Sequence, residues 1–343
     1  MTEKTHTRLV DATQAFADPV TTVVTLALAG VLLLVPCVFL VLTKTGKITE
    51  PVRGELWRRY FSWLVLIPLL LGPILLGAAW TILGFGILSV FCYREYARAV
   101  GLFREKFLSL IIVIGIIAIT FAVFDHWYNF FNALTPLAIA VLVAAAILKD
   151  EPKGYIQRVA LSLLAFCLFG TCMGHIGYMA NDFNYRPRVI LLLLAIEAND
   201  VFAFVCGKTM GRRKLCPNTS PNKTIAGAVG ALILTTALVS GIGIFVYKGT
   251  ALESWPLLAL LGVLLSLSGQ LGDLALSSIK RDLGVKDMGA FIPGHGGLLD
   301  RFDSILLAAP VYFHYVGYFV GFGVAPDDQV RILSSATTLL VGE

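Results

Sequence analysis

Residues 256–276, PLLALLGVLLSLSGQLGDLAL, form an apolar run long enough to cross a bilayer, and residues 277–303, SSIKRDLGVKDMGAFIPGHGGLLDRFD, follow it without a break. The second stretch holds four cations (Lys280, Arg281, Lys286, Arg301), four carboxylates (Asp282, Asp287, Asp300, Asp303) and a His-Gly-Gly. The first carries its own acid, Asp273, inside the apolar run. A membrane span that ends in so dense a charged loop implies an intramembrane protein with a polyanion or a metal to hold at one face.

The rest of the chain extends that pattern. Hydrophobic residues make up 57% of the 343 and charged ones 14%, and the mean hydropathy is +0.81. This excludes an ordinary soluble domain and points to an all-α polytopic membrane protein. Ten apolar stretches qualify as spans: 19–43, 60–78, 80–93, 107–124, 132–148, 159–179, 189–206, 225–247, 256–276 and 304–324. The third is short, and it is expected to run on through Glu95 and to form a tight hairpin with the second. The stretch 44–60 mixes Arg53, Arg58 and Arg59 with Leu56, Trp57 and Tyr60, and suits either the headgroup plane or a solvated loop. Five cysteines lie in apolar segments and Cys216 in a basic loop, with no C-x-x-C pair, so neither a disulfide framework nor a zinc site is indicated.

Of the 27 Lys and Arg residues, 21 fall in alternate connections between spans. By the positive-inside rule those connections, 277–303 among them, face the cytoplasm and both termini lie outside. The net charge of +5 is spread over the loops, which suits anionic lipid or phosphate rather than nucleic acid. The chain divides into residues 1–188, six spans of lipid-facing scaffold; residues 189–324, the catalytic region; and a short tail, 325–343.

Asp273, Ser277, Lys280 and Arg281 are spaced i, i+4, i+7, i+8 and share one helix face, with the acid toward the membrane and the cations at the mouth. One use of that spacing is an ion pair from Asp273 to Lys280 or Arg281 that joins helices. Another is Mg²⁺, which takes one or two carboxylates and completes its shell with phosphate and water; two aspartates from two elements, Asp273 and one of the Asp300–Asp303 cluster, suit it. Gly296 and Gly297, beside His295, let backbone N–H groups approach a phosphate. A second polar block follows the seventh span. Glu197 and Asp200 sit i, i+3 near its end, and Ser220-Pro-Asn-Lys223-Thr224 leads directly into the eighth span, where hydroxyls at a helix N-terminus with Lys223 between them suit a phosphate cradle or a plain N-cap.

At these residues the sequence resembles the phosphatidate cytidylyltransferases, or CDP-diacylglycerol synthases. The family's C-terminal pattern appears as Ser277, Lys280-Arg281, Lys286-Asp287, Pro293-Gly-His295-Gly-Gly297 and Asp300-Arg301-Phe-Asp303. Its Gln-x-Gly-Asp-Leu appears at 270–274 and its Ser-Pro-x-Lys-Thr at 220–224. The likeness covers residues 189–304 well; before that it is one of hydropathy, and the first span looks like an addition. Two positions depart: Phe204 stands where the family has Tyr, and Ala226 where it has Glu. The resemblance implies transfer of a cytidylyl group from CTP to phosphatidic acid, giving CDP-diacylglycerol and pyrophosphate. It implies Asp273 and Asp300 as metal-binding residues, Mg²⁺ as cofactor with room for a second cation, and a homodimer as an open expectation. Catalysis would rest on Asp273, Lys280, Arg281 and Asp300. Asp200, Ser220, Lys223, Thr224, Ser277, Lys286, Asp287, His295, Gly296, Gly297, Arg301 and Asp303 would bind substrate. A prokaryotic plasma membrane is the expected location.

Other readings predict different chemistry. A CTP-dependent polyprenol or phytol kinase would move the γ-phosphate and have use for Asp287 or Asp303 as a base. A secondary transporter would carry ions past Glu197, Asp200 and Asp273, yet transporters place polar residues at mid-membrane in two related halves, and here they gather at one face of one half. A non-catalytic homologue with a scaffolding role is the reading that Ala226 favours.

Overall fold

In the computed structural model, which describes residues 8–45, 50, 52–289 and 296–333, ten long helices follow one another. They are α1 (Pro19–Lys44), α2 (Val52–Leu76), α3 (Ala78–Ala99), α4 (Lys106–Phe124), α5 (Tyr128–Ile147), α6 (Tyr155–Met179), α7 (Tyr185–Met210), α8 (Ile225–Val246), α9 (Trp255–Asp282) and α10 (Leu299–Phe319). All ten anticipated spans are helices. Eight are long and apolar enough to cross a membrane; α3 and α10, of 22 and 21 residues, fall outside that set, and each carries a charge cluster near one end: Arg94, Glu95 and Arg98 on α3, Asp300, Arg301 and Asp303 on α10. The protein is a multi-pass helical membrane protein.

Local chemistry sets the breaks. Asp18 caps α1, its carboxylate accepting from the amides of Val20 and Thr21, with Pro19 in the first turn. Gly77, at a φ of 142°, turns α2 into α3 in one residue, so the expected tight hairpin is present and α3 runs on through Glu95. Residues from Val52 onward are the first turns of α2 rather than a separate interfacial element. Helix α6 widens to π geometry over Phe166–Cys172, and the Ser89 hydroxyl of α3 donates to the Phe169 carbonyl there. Between α7 and α8, β1 (Lys214–Cys216) and β2 (Ser220–Thr224) form a small antiparallel ribbon that pairs Lys214 with Thr224 and Cys216 with Ser220.

The core is continuous from Ile82 and Phe85 on α3, through Ile112 and Ile116 on α4 and Phe166 and Met173 on α6, to Leu265 on α9 and Leu306 on α10. Helices α7, α8 and α9 are joined by a buried polar knot: the Asn199 side-chain Oδ1 accepts from Ser266 Oγ at 2.6 Å and Thr235 Oγ1 at 3.2 Å. Side-chain hydrogen bonds of this kind are the usual cement between helices in lipid. Helix α1 is peripheral and touches this core through Val20 and Val24; apart from Thr21, its residues are exposed or half-buried, in keeping with an added first span.

Charged loops collect at two ends of the bundle, as the alternating charge pattern requires. At one end Lys149 meets Glu105, Arg281 meets the Thr219 carbonyl, and Glu95 meets residues 298–299. At the other, Arg8 bonds Asn181, Arg186 bonds the Asp11 carbonyl, and Arg331 bonds Asp125.

Candidate active site

The three separated polar stretches converge at the end that carries most of the basic residues. Helix α9 presents Asp273 about two turns before its C-terminus. Asp273 Oδ1 accepts from Ser277 Oγ at 3.1 Å, one turn on, and Oδ2 pairs with Lys223 Nζ at 2.5 Å. The partner of Asp273 is therefore on β2, not Lys280 or Arg281 of its own helix. Both side chains keep 23% of their surface exposed, so a ligand can reach the pair.

Lys280 turns instead to α10. Its ammonium lies 2.9 Å from Asp300 Oδ1 and 3.8 Å from Asp303 Oδ2, with all three side chains largely buried. Asp300 Oδ2 accepts from the amides of Met288 and Gly297, both at 3.0 Å. That carboxylate ties the loop after α9 to the start of α10. Asp303 Oδ1 accepts from its neighbour's amide, Ser304 N, at 2.8 Å. The Ser304 hydroxyl stands 3.3 Å from Asp200 Oδ2 and 3.5 Å from Asp303 Oδ1, linking α7 to α10. Asp200, Asp273 and Asp303 are close enough for their charges to repel one another, and Arg301 acts on Asp200 and Glu197 from the opposite sign. So dense a group of carboxylates at a membrane boundary is costly without cations.

The backbones approach closely to make this possible. A Cβ on Gly272 would lie 2.7 Å from the Asp303 carbonyl, so only glycine lets α9 and α10 cross there. Gly296 sits at a φ of 81°, beside the exposed Asp287: a Cβ at Gly296 would come 3.3 Å from its Oδ1.

The remaining expected residues take distinct places. Arg281 is exposed; its Nε donates to the Thr219 carbonyl at 3.2 Å, pinning the ribbon to α9. Lys286 and Arg301 are exposed. Ser220 is on β2 rather than in a helix turn, and of the two hydroxyls only Thr224 caps α8, Oγ1 accepting from Gly227 N at 3.1 Å. Ala226 is half-buried in the first turn of α8, and Phe204 is exposed with Lys208 Nζ 5.4 Å from its ring centroid. His295, with Pro293 and Gly294, lies outside the described residues.

Sequence inspection missed two contributors. Glu95, on α3, accepts from Leu298 N at 3.0 Å and Leu299 N at 2.8 Å, capping α10 from another helix. A Cβ on Gly297 would fall 2.6 Å from its Oε2, so the glycine pair and the glutamate fit one another. The signal was a carboxylate between Arg94 and Arg98 at the end of an apolar span. Ser304 was the other; nothing in its surroundings in sequence marks it apart from Asp303 beside it.

Among the described residues no three His, Cys, Asp or Glu side chains form a ready-made metal cage. The donors at hand are all carboxylate and hydroxyl oxygens, which suit a hard divalent cation that draws its other ligands from phosphate and water.

The profile of the cytidylyltransferase family matches residues 57–319, that is, all of the long helices except α1. The chain belongs to this family of nucleotidyltransferases. A protein of Escherichia coli K12 called uncharacterized protein YnbB is 30% identical over 79% of this chain and 91% of its own length. Phosphatidate cytidylyltransferases of Staphylococcus saprophyticus and Staphylococcus aureus are each 33% identical over 70% of this chain and 91% of their own length.

Proposed function

We propose that the protein is a phosphatidate cytidylyltransferase of a bacterial cell membrane, converting CTP and phosphatidic acid into CDP-diacylglycerol and pyrophosphate. The observation that carries this reading is the convergence of Lys223–Asp273, Lys280–Asp300 and Arg301 in a chain whose similarity to enzymes of that name runs over nearly their whole length.

A phosphate oxygen of phosphatidic acid attacks the α-phosphorus of CTP. The new P–O bond forms as the bond from the α-phosphorus to the bridging oxygen breaks, and the electron pair leaves with pyrophosphate. The attacking oxygen is already anionic near pH 7, so no strong base is required. The barrier lies in bringing two polyanions together and in the charge that develops on the leaving group. Lys223, Lys280, Arg281, Lys286 and Arg301 supply positive charge for both. Asp273 and Asp300 would hold Mg²⁺, which neutralises triphosphate charge when bound. Lysine is well suited here, because its flexible point charge can leave a carboxylate for a phosphate. Ser277 orients Asp273, Glu95 and the amides of Met288 and Gly297 position Asp300, and the ribbon shapes the nucleotide side of the site. The basic end faces the cytoplasm, where CTP is, and the lipid enters from the inner leaflet.

The test uses detergent-purified protein, phosphatidic acid, Mg²⁺ and CTP labelled at the α-phosphate, with label followed into the chloroform phase. Labelling that needs Mg²⁺ and is lost in Asp273→Ala supports the reading. Lipid labelling from γ-labelled CTP alone would replace it with a kinase, and silence from both labels would leave a non-catalytic homologue.

A further inference from the structure

A second cavity opens beside the site. The groove between α2 and α3 encloses about 750 Å³, within the size range of ligand pockets, and is lined almost wholly by apolar side chains. Its floor is the buried Leu66, Phe85 and Leu88; Leu69 and Ile87 stand exposed on its walls. A Cβ on Gly84 would lie 3.3 Å from that of Pro73, which fastens the two helices near their common turn. Lining residues run from Arg58 to Pro73 along α2, about 22 Å at 1.5 Å per residue, more than half of a hydrocarbon core about 30 Å thick.

What sets this groove apart from ordinary lipid-facing surface is its inner end. There the lining passes to Leu298 and Phe302, which flank Asp300 in sequence; the Leu298 amide is one of the two held by Glu95. At the same end Arg58, exposed, is the cation of the groove. An apolar slot that closes at one end, and at the other meets an arginine and the helix that bears the site carboxylates, matches an amphiphile with an anionic head and a long tail.

We infer that this groove is the acyl-chain subsite for phosphatidic acid, with Arg58 meeting the lipid phosphate as it enters the site. The inference rests on the proposed lipid acceptor. It makes Leu69, Ile87 and Phe91 determinants of chain-length preference, and it gives the lipid its sideways path from the bilayer.

The experiment compares dihexanoyl and dioleoyl phosphatidic acid as acceptors for wild type, Leu69→Trp and Leu69→Ala. Leu69 lines the groove and is 61% exposed, so a larger ring there leaves the core undisturbed. Leu69→Trp is expected to lower kcat/KM for the dioleoyl lipid about tenfold relative to the dihexanoyl one, with KM for CTP unchanged, and Leu69→Ala to shift that ratio less. An unchanged ratio of the two lipids in Leu69→Trp would overturn the assignment. In parallel, phosphatidic acid with a photoreactive acyl chain is cross-linked to the wild-type protein. Adducts on α2 and α3 that excess phosphatidic acid competes away, and phosphatidylcholine does not, are the expected result; equal competition by both lipids marks bulk bilayer lipid and rejects the subsite. If wild type turns over neither acceptor, the cytidylyl-transfer reading fails, and the competition pattern alone decides the groove.

Discussion

The two ends of the bundle both concentrate charge, but they join it differently. At the end opposite the site, Asp125 is almost fully enclosed and accepts from Arg331 Nε at 2.7 Å and from the amides of Ile332 and Leu333. Arg188, buried, holds Asp182 at 2.7 Å. The partners there are arginines and backbone, and they fold the segment after α10 back onto the α4–α5 turn. At the site end Asp273 and Asp300 each pair with a lysine, Asp300 being held by two backbone amides as well, and Asp273 remains open to a ligand. A guanidinium fork held in place suits a fixed joint; a single ammonium on a flexible stem suits an exchange of partners. The contrast separates charge locked into the fold from an ion pair, Lys223–Asp273, that a ligand can reach.

Removing a carboxylate at each end tests that contrast most directly. Asp273→Ala is expected to lower the rate of cytidylyl transfer by about 10³-fold or more. Its thermal midpoint in detergent should stay near that of wild type, because a partly exposed pair contributes only about 1 kcal/mol or less. A large loss of stability would mean that the pair is structural after all. Lys280→Met strips the buried Asp300 of its cation and should cost about 3–5 kcal/mol together with activity, read from chemical denaturation and label transfer. If that variant is as stable as wild type, Asp300 is held by the amides of Met288 and Gly297 alone. Asp125→Asn at the far end should cost about 3 kcal/mol with kcat/KM for CTP unchanged, and a fall in kcat/KM would erase the division between the ends.

The most gradual expected effect is one of pH. His126, in the α4–α5 turn, is buried near Arg8, and both burial and that charge push its pKa from 6.5 down to about 4. Its Nδ1 accepts from the Val330 amide at 3.0 Å, which requires the neutral ring. The folded state therefore binds this proton less readily than the unfolded chain. The stability it contributes is complete above pH 6.5 and falls as pH drops from 6.5 toward 4, by at most about 3 kcal/mol. Thermal midpoints measured across that window should decline in wild type and decline less in His126→Gln. Parallel curves would remove His126 as the cause.

Much of this architecture is legible in the chain itself. Long apolar runs must become helices in lipid because no water is present to satisfy their backbone groups, so the long helices and their order follow from hydropathy. The alternating Lys and Arg assign loops to two ends for a similar reason, since cations cross the bilayer at high cost. The chemistry-bearing residues at 200, 220–224 and 273–303 stand out because polar groups are rare in such a chain, and the motif they form is long. Pairing is not legible. Asp273 and Lys280 are two turns apart on one face, which invites an ion pair, yet each bonds to a different element. Glu95 is about 200 positions from the amides it caps. Periodicity describes one helix at a time, whereas these contacts depend on how α3, α9, α10 and the ribbon are arranged around each other.

Local chemistry along the chain is enough to make this a multi-pass helical protein with a basic, carboxylate-rich face and the motifs of its family, because burial cost in lipid and residue type act position by position. Which lysine meets which aspartate, the capping of α10 by Glu95 of α3, and the apolar groove that α2 and α3 leave beside Asp300 all come from packing between distant elements. Those outcomes depend on helix crossings such as the one at Gly272, where the absence of a side chain lets two backbones meet.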